Sequence, residues 1–262
     1  MRDPRHILIT GASSGIGAAL ARHYARQGVM LDLAGRDHDR LAAVAHACRA
    51  RGASVSTQAL DVVHRAATAA WIDAAEARAP VDLVIANAGI SGGTGGISVE
   101  DGLFESRPQM DAILDANVQG VVNTVTPALR AMSSRGRGQI ALMSSLASFR
   151  GFPGAPAYCA SKAWVRVWAE GLRPEYAARG IEVNVICPGY VRSPMTDRND
   201  FPMPFLIEAD RAAAIIADGL ARDRARIVFP RRLYWLLRLY AALPEPWLDR
   251  IMRRLPRKGA AR

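Results

Sequence analysis

The chain has 262 residues, half of them hydrophobic and 6% aromatic, enough to bury one sizeable core, so a single domain with a small appendage is expected. The formal net charge of +10 does not mark a nucleic-acid binder, because nine Arg or Lys against only Glu245 and Asp249 fall between Pro230 and Arg262, which leaves the preceding 229 residues close to neutral. Cys48, Cys159 and Cys187 show no paired spacing and all five histidines precede residue 65, which argues against a disulfide framework or a zinc site and fits a reducing compartment.

The N-terminal MRDPRHILIT passes straight into a strand-like run without a secretory signal, and no uncharged apolar run of eighteen residues follows, so the expected compartment is the cytoplasm. HILIT (6–10) reads as the first strand and a helix starts near Gly15. VMLDLAG (29–35) is a strand, DRLAAVAHACRA (39–50) a helix, ASVSTQALDV (53–62) a strand, and a helix through Trp71 leads to the strand VDLVIANAG (81–89). Helices near 108–133 and 156–178 alternate with the strands GQIALMSS (138–145) and IEVNVICPG (181–189), and RIVFP (226–230) supplies a short last strand. Strands this continuously apolar need cover on both faces. The pattern predicts an α/β fold with a doubly wound parallel sheet of Rossmann type over residues 1–229, and a basic, amphipathic helical extension over 230–262.

The first strand enters its helix through TGASSGIG, Thr10 to Gly17. Glycine answers three needs there: a tight turn at Gly11, close approach of backbone to a ligand at Gly15, and close helix packing at Gly17. The helix N-terminus, with unpaired N–H groups and the positive end of its dipole, suits a pyrophosphate, and Thr10, Ser13 and Ser14 add hydroxyls.

Further motifs follow in order: NAG at Asn87, Ala88 and Gly89; Asn117 in DANVQG; Ser145 in MSSLAS; YCASK from Tyr158 to Lys162, thirteen residues after Ser145; and PGYVRS from Pro188 to Ser193. In this order and spacing the first 200 residues or so resemble the short-chain dehydrogenase/reductase family. The resemblance implies an oxidoreductase interconverting a carbonyl and an alcohol with a nicotinamide cofactor. It places the cofactor against Gly11, Ser13, Ser14, Gly15, Ile16, Gly17, Arg36, Asp61, Val62, Asn87, Ala88, Gly89, Tyr158, Lys162, Pro188, Gly189, Val191 and Ser193. It also makes Tyr158 the general acid or base, Ser145 a hydrogen-bond donor to the substrate oxygen, and Asn117 the holder of a water linking Lys162 to solvent. Ser144 is the rival of Ser145 and ranks second, since it stands fourteen residues from Tyr158.

The residues support that chemistry independently. Tyr158 and Lys162 are four apart on a predicted helix and share a face, and a nearby ammonium favours the phenolate. Lys162 is one of only two lysines among 34 basic residues, so a compact ammonium is chosen here over the chain's usual guanidinium. In members of the family that prefer NAD, an acid ends the second strand. Here Gly35 and Arg36 stand there, which suits a 2′-phosphate and points to NADP(H) over NAD(H), with Asp61 at the adenine position.

The segment after Ser193 carries Met195, Phe201, Met203, Phe205 and Leu206, and with Phe149 and Phe152 it suggests an apolar small-molecule carbonyl or alcohol. In the tail, Trp247, Leu248, Ile251, Met252 and Leu255 share one helical face, with Arg250, Arg253, Arg254 and Asp249 around the other. Two roles stay open for it: packing on the body, over the pocket or against another subunit, and contact with an anionic membrane surface from the cytoplasmic side. The resemblance implies a homodimer or homotetramer built on the helices near 108–133 and 156–178. A competing class, a non-catalytic dehydrogenase fold binding a membrane or partner through its basic tail, would show a broken Asn, Ser, Tyr and Lys set, whereas this set is complete.

Overall fold

In the computed structural model, which describes residues 3–91, 105–197, 199 and 201–252, the apolar runs form strands β1 (His6–Thr10), β2 (Met30–Gly35), β3 (Ser54–Ala59), β4 (Leu83–Ala86), β5 (Gly138–Met143), β6 (Ile181–Pro188) and β7 (Arg226–Phe229). Every strand pair is parallel, in the order β3-β2-β1-β4-β5-β6-β7. From β1 the chain first works outward through β2 to β3, then returns to β4 on the other side of β1. The loops leaving the carboxyl ends of β1 and β4 therefore diverge and open a crevice, the usual ligand position in such a sheet.

The helices are α1 (Gly15–Tyr24), α2 (His38–Arg49), α3 (Arg65–Arg78), α4 (Arg107–Leu114), α5 (Gly120–Arg135), α6 (Pro156–Ala177), α7 (Ala209–Ala221), α8 (Arg231–Ala241) and α9 (Glu245–Met252). Alternate residues of each strand feed two cores. Ile7, Ile9, Leu83 and Ile85 pack with Leu20 of α1, Leu41 of α2 and Ile216 of α7. Leu8, Val84, Ile140 and Val183 pack with Ile72 of α3, Val125 of α5 and Val165 of α6 on the opposite face. This double cover explains strands that are apolar at successive positions, each fully buried aliphatic side chain contributing about 1.5–3 kcal/mol.

Three local features differ from the sequence expectation. The strand expected over 53–62 ends at Ala59, and its side chains are largely exposed because β3 is the sheet edge. The helix expected near 108–133 is broken by a five-residue π turn, Asp115–Gln119, between α4 and α5. The helix α7, absent from the expected elements, bridges β6 to β7, since parallel neighbours cannot be joined by a tight turn. In the expected tail helix, Leu255, Arg253 and Arg254 lie outside the described residues, as do the side chains of Ile251 and Met252.

Candidate active site

The glycine turn is built against the loop after β4. Gly11 has φ +66°, and a Cβ there would stand 2.8 Å from the Ala88 Cα. Asn87 ties the two loops together: its side-chain amide donates to the Thr10 carbonyl (2.9 Å) and the Gly11 carbonyl (3.2 Å). The backbone N–H groups of Asn87 and Ala88 both donate to the Thr10 hydroxyl at 3.1 Å. Thr10 therefore serves the loop, while Ser13 and Ser14 face the cleft. Gly17, expected both to pack the helix and to contact the cofactor, is seen in the first role. It does not line the cleft, because a Cβ there would meet the Gly11 carbonyl oxygen at 2.3 Å, and its function is to let α1 press against the turn.

The crevice is a cleft of about 650 Å³ running from Arg36 at one end to α8 at the other. It gathers nearly all the expected residues into one wall: Gly11, Ser13, Ser14, Gly15, Ile16, Arg36, Asp61, Val62, Asn87, Ala88, Gly89, Ser145, Tyr158, Lys162, Pro188, Gly189, Val191 and Ser193. No side chain caps the N-terminus of α1 and its first turn contains no acid, so the positive end of the helix faces this space uncompensated by protein charge. That arrangement fits a pyrophosphate.

At the centre, Ser145 stands beside Tyr158 in the cleft wall, its hydroxyl accepting from the Ala147 N–H at 3.1 Å and donating to the Pro188 carbonyl at 3.5 Å. Ser144 is committed elsewhere, its hydroxyl donating to the Lys162 carbonyl at 2.7 Å, so it anchors α6 to β5. Lys162 is buried and its ammonium donates to the Met143 carbonyl at 3.0 Å. Its Nζ lies 5.9 Å from the Tyr158 ring centroid, on the same helical face.

Asn117 is fully buried behind the cleft wall, at the π turn. Its Oδ1 accepts from the Ile90 N–H (2.8 Å), and its Nδ2 donates to the Ile90 carbonyl (2.9 Å) and the Ser161 hydroxyl (3.0 Å). The side chain thereby braces α6 and the loop after β4, and its Oδ1 lies with the Lys162 ammonium beside Gly89.

The titration of the tyrosine differs from the sequence reading. Burial pushes the Tyr158 phenol up to about 12, opposed by the hydrogen bond from Ser145, and Lys162 does not draw it below its ordinary value. The same burial pulls the Lys162 ammonium down to about 8. Because this amine is charged at neutral pH in a desolvated place, it destabilises the fold by about 3 kcal/mol at pH 7 relative to its neutral form. The folded pKa lies below the unfolded one, so the penalty is complete below about pH 8 and is relieved as pH rises toward 10.5. Lys162→Met should therefore raise stability to urea at pH 7 by about 2 kcal/mol, after about 1 kcal/mol is lost at the orphaned Met143 carbonyl. The gain should shrink to near zero by pH 10. A lower urea midpoint for the variant at pH 7 would show that the ammonium carries no burial penalty.

At the Arg36 end, Asp32 is spent in a buried cluster, accepting from His6 Nε2 at 2.6 Å and pairing with Arg78. Asp37 caps α2, accepting from the Arg40 N–H at 3.0 Å and pairing with the Arg40 guanidinium. Asp32 does not reach the cleft, whereas Asp37 lines it with its carboxylate engaged by Arg40. A Cβ at Gly35 would sit 3.2 Å from the Ser13 side chain, leaving little space for an acid at the end of β2. Arg36 is exposed, 3.8 Å from Asp61. Arg40 also lines the cleft and was missed in the sequence, although its place four residues after Arg36, opening α2, was a usable sign.

At the other end Met195, Phe152, Phe201, Tyr190, Leu233 and Leu237 form an apolar wall. Phe201 stacks edge-on with Tyr190 at 6.0 Å. Phe149, expected here, instead packs beneath α8 against Tyr234 at 5.3 Å, with the Arg166 and Arg226 guanidiniums over its ring. Phe205 points outward with an exposed ring, and Met203 and Leu206 do not reach the cleft. The tail helix α8 is thus part of the pocket wall, through residues that the sequence reading did not select.

Comparison with known proteins agrees with this geometry. The sequence model described as short chain dehydrogenase matches residues 5–201. An oxidoreductase of Myxococcus xanthus is 40% identical over 252 residues, covering 96% of this chain and 97% of that one. An oxidoreductase of Mycobacterium tuberculosis is 35% identical over 246 residues, covering 91% and 93%. Among solved structures, a short-chain dehydrogenase from Sphingobium yanoikuyae in complex with NADPH superposes with a TM-score of 0.78 at 26% identity, covering 96% of each chain. One from Burkholderia phymatum in complex with NAD superposes with a TM-score of 0.81 at 26% identity, covering 97% of each. With its glycine turn, its Ser, Tyr and Lys in one cleft and this breadth of likeness, the chain belongs to the short-chain dehydrogenase/reductase family of NAD(P)-dependent oxidoreductases.

Proposed function

We propose that the protein interconverts an apolar ketone or aldehyde and its alcohol, using NADP(H) in preference to NAD(H), with Tyr158 as the acid and base. The observation that carries this reading is the placement of the Ser145 and Tyr158 pair in one cleft, between the glycine turn and the apolar wall of Phe152, Phe201, Leu233 and Leu237. Ser13, Ser14 and the α1 N-terminus would hold the pyrophosphate, Arg36 and Arg40 a 2′-phosphate, Asp61 and Val62 the adenine end, and Lys162 the nicotinamide ribose. When bound, the nicotinamide supplies or accepts the hydride.

The chain's own residues handle the proton. With its pKa at about 12 the Tyr158 phenol is protonated at neutral pH, ready to donate to a carbonyl oxygen as that oxygen gains negative charge. Ser145 donates to the same oxygen and fixes its position. Lys162, held by the Met143 carbonyl, has a pKa of about 8 and can replace the proton that Tyr158 gives up. In the oxidative direction Tyr158 must first lose its proton, which favours that direction at high pH. Asn117 acts as a positioning residue, keeping α6 in register with the loop that carries Gly89 and Ile90.

Assay of NADPH consumption against a series of apolar ketones and aldehydes, with short polar ones for comparison, tests the substrate class. Uniform inactivity toward the apolar series in folded, NADPH-binding protein would defeat it. For the cofactor, Arg36→Ala should weaken NADPH binding about 10- to 100-fold, the value of a charge-assisted hydrogen bond, and leave NADH binding unchanged. Fluorescence titration with both cofactors reads this directly, and an unaltered NADPH-to-NADH ratio would remove Arg36 from the 2′-phosphate site. Leu114, Trp164 and Val167 leave apolar surface exposed on α4 and α6, which suits the homodimer or homotetramer expected there.

A further inference from the structure

Helix α8 has two apolar faces. Leu233 and Leu237 point into the cleft. On the outer side Trp235, Leu236 and Leu239 are 60%, 59% and 69% exposed, and Trp247 of α9, 68% exposed, adds a second indole. Residues 235, 236 and 239 fall on one helical face, so their exposure forms a stripe rather than scattered points. Arg231, Arg232 and Arg238 of α8 and Arg250 of α9 are exposed around it, and none of the four forms an ion pair among the described residues. No Asp or Glu occurs in α8, and the sequence from Pro230 onward contains seven more cations than anions.

We infer that this outer face docks the protein on an anionic lipid bilayer, lying in the interface plane. Indole rings and leucines seat at the boundary between headgroups and acyl chains, and the flanking arginines meet lipid phosphates. No helix among the described residues is long and apolar enough to cross a membrane, so the contact is peripheral. Charge selects the bilayer over a second copy of the chain. A symmetric contact through α8 would set Arg231, Arg232 and Arg238 against their own equivalents with no acid on the helix to offset them. Docked in this way, α8 stands with its outer face in lipid and its inner face in the wall of the cleft.

The test uses the full chain and vesicles of phosphatidylcholine, alone or mixed with phosphatidylglycerol. The intact protein should co-sediment with the anionic vesicles at low salt, release as salt rises, and show a blue shift of tryptophan emission on binding. The double variant Trp235→Ser, Leu239→Ser, which removes outer-face side chains only, should bind at least tenfold more weakly while binding NADPH as before. Arg231→Glu with Arg232→Glu should abolish binding without altering a fold checked by circular dichroism. Three outcomes would overturn the inference: no binding of the intact chain to anionic vesicles at low salt, equal binding by the outer-face variant, or a dimer that the variant dissociates. The vesicle measurement needs no turnover, so its failure is separable from failure of the proposed carbonyl chemistry.

Discussion

Tyr158→Phe is expected to lower kcat for carbonyl reduction about 10²- to 10⁴-fold, the usual value of a positioned proton donor, with NADPH affinity unchanged. The substitution deletes one hydroxyl and keeps the ring, so the ring keeps its place in the cleft wall. What it removes is the phenol hydroxyl that stands beside Ser145 in the cleft. Ser145 would remain as a donor to the substrate oxygen, which is why the residual rate should stay above background rather than vanish. The loss should appear in kcat and in kcat/KM together, because the proton moves in the transition state and the ground-state complex does not depend on it. Single-turnover kinetics with pre-bound NADPH isolates the chemical step. A variant with full kcat would transfer the proton-donor role to another group, with Lys162 through water as the first to examine.

Gly17→Ala should have the largest effect on structure and cofactor binding for the smallest chemical change. The new methyl would stand 2.3 Å from the Gly11 carbonyl oxygen and 2.6 Å from the Asn87 amide nitrogen. Neither neighbour can yield cheaply. The first is backbone in a turn whose Gly11 already has φ +66°, and the second is the amide that ties the β1 and β4 loops through Thr10 and Gly11. Overpacking of this kind costs about 1–3 kcal/mol or more, a fall in Tm of about 3–10 °C for a chain of this size. NADPH binding should be lost with the turn geometry. Gly151→Ala is the control, because nothing lies within 4 Å of a Cβ there, and it should leave both Tm and affinity unchanged. Wild-type NADPH affinity in Gly17→Ala would mean that the turn can re-form with α1 displaced, and that Gly17 is dispensable for the site.

The fold and the chemical core of the site were legible in the chain for local reasons. Strand apolarity at successive residues reports two-sided burial, as Ile7, Leu8 and Ile9 show by dividing between the two cores. The three-then-one glycine spacing reports a turn, and a four-residue spacing on a helix brings Tyr158 and Lys162 to one face. Spacing of this kind is a property of backbone geometry and survives without knowledge of what lies across the fold.

What stayed hidden depends on residues far apart in the chain. Asn87 reads as a cofactor contact and does line the cleft, but only the fold shows that its amide N–H groups also tie down Thr10 and Gly11, 76 or 77 residues away. Asn117 reads as a water holder, and only the fold shows that its side chain also ties Ile90 to Ser161 beside the Lys162 ammonium. The four-residue spacing suggested a tyrosine eased toward the phenolate, whereas desolvation raises it to about 12. Burial and saturation of hydrogen bonds are sums over all neighbours, and most of those neighbours come from other elements of the fold. The tail shows the division plainly: its helical period and positive charge can be read from the residues, but that Leu233 and Leu237 line the cleft while Trp235, Leu236 and Leu239 face outward follows from how α8 seats on β7 and Phe149.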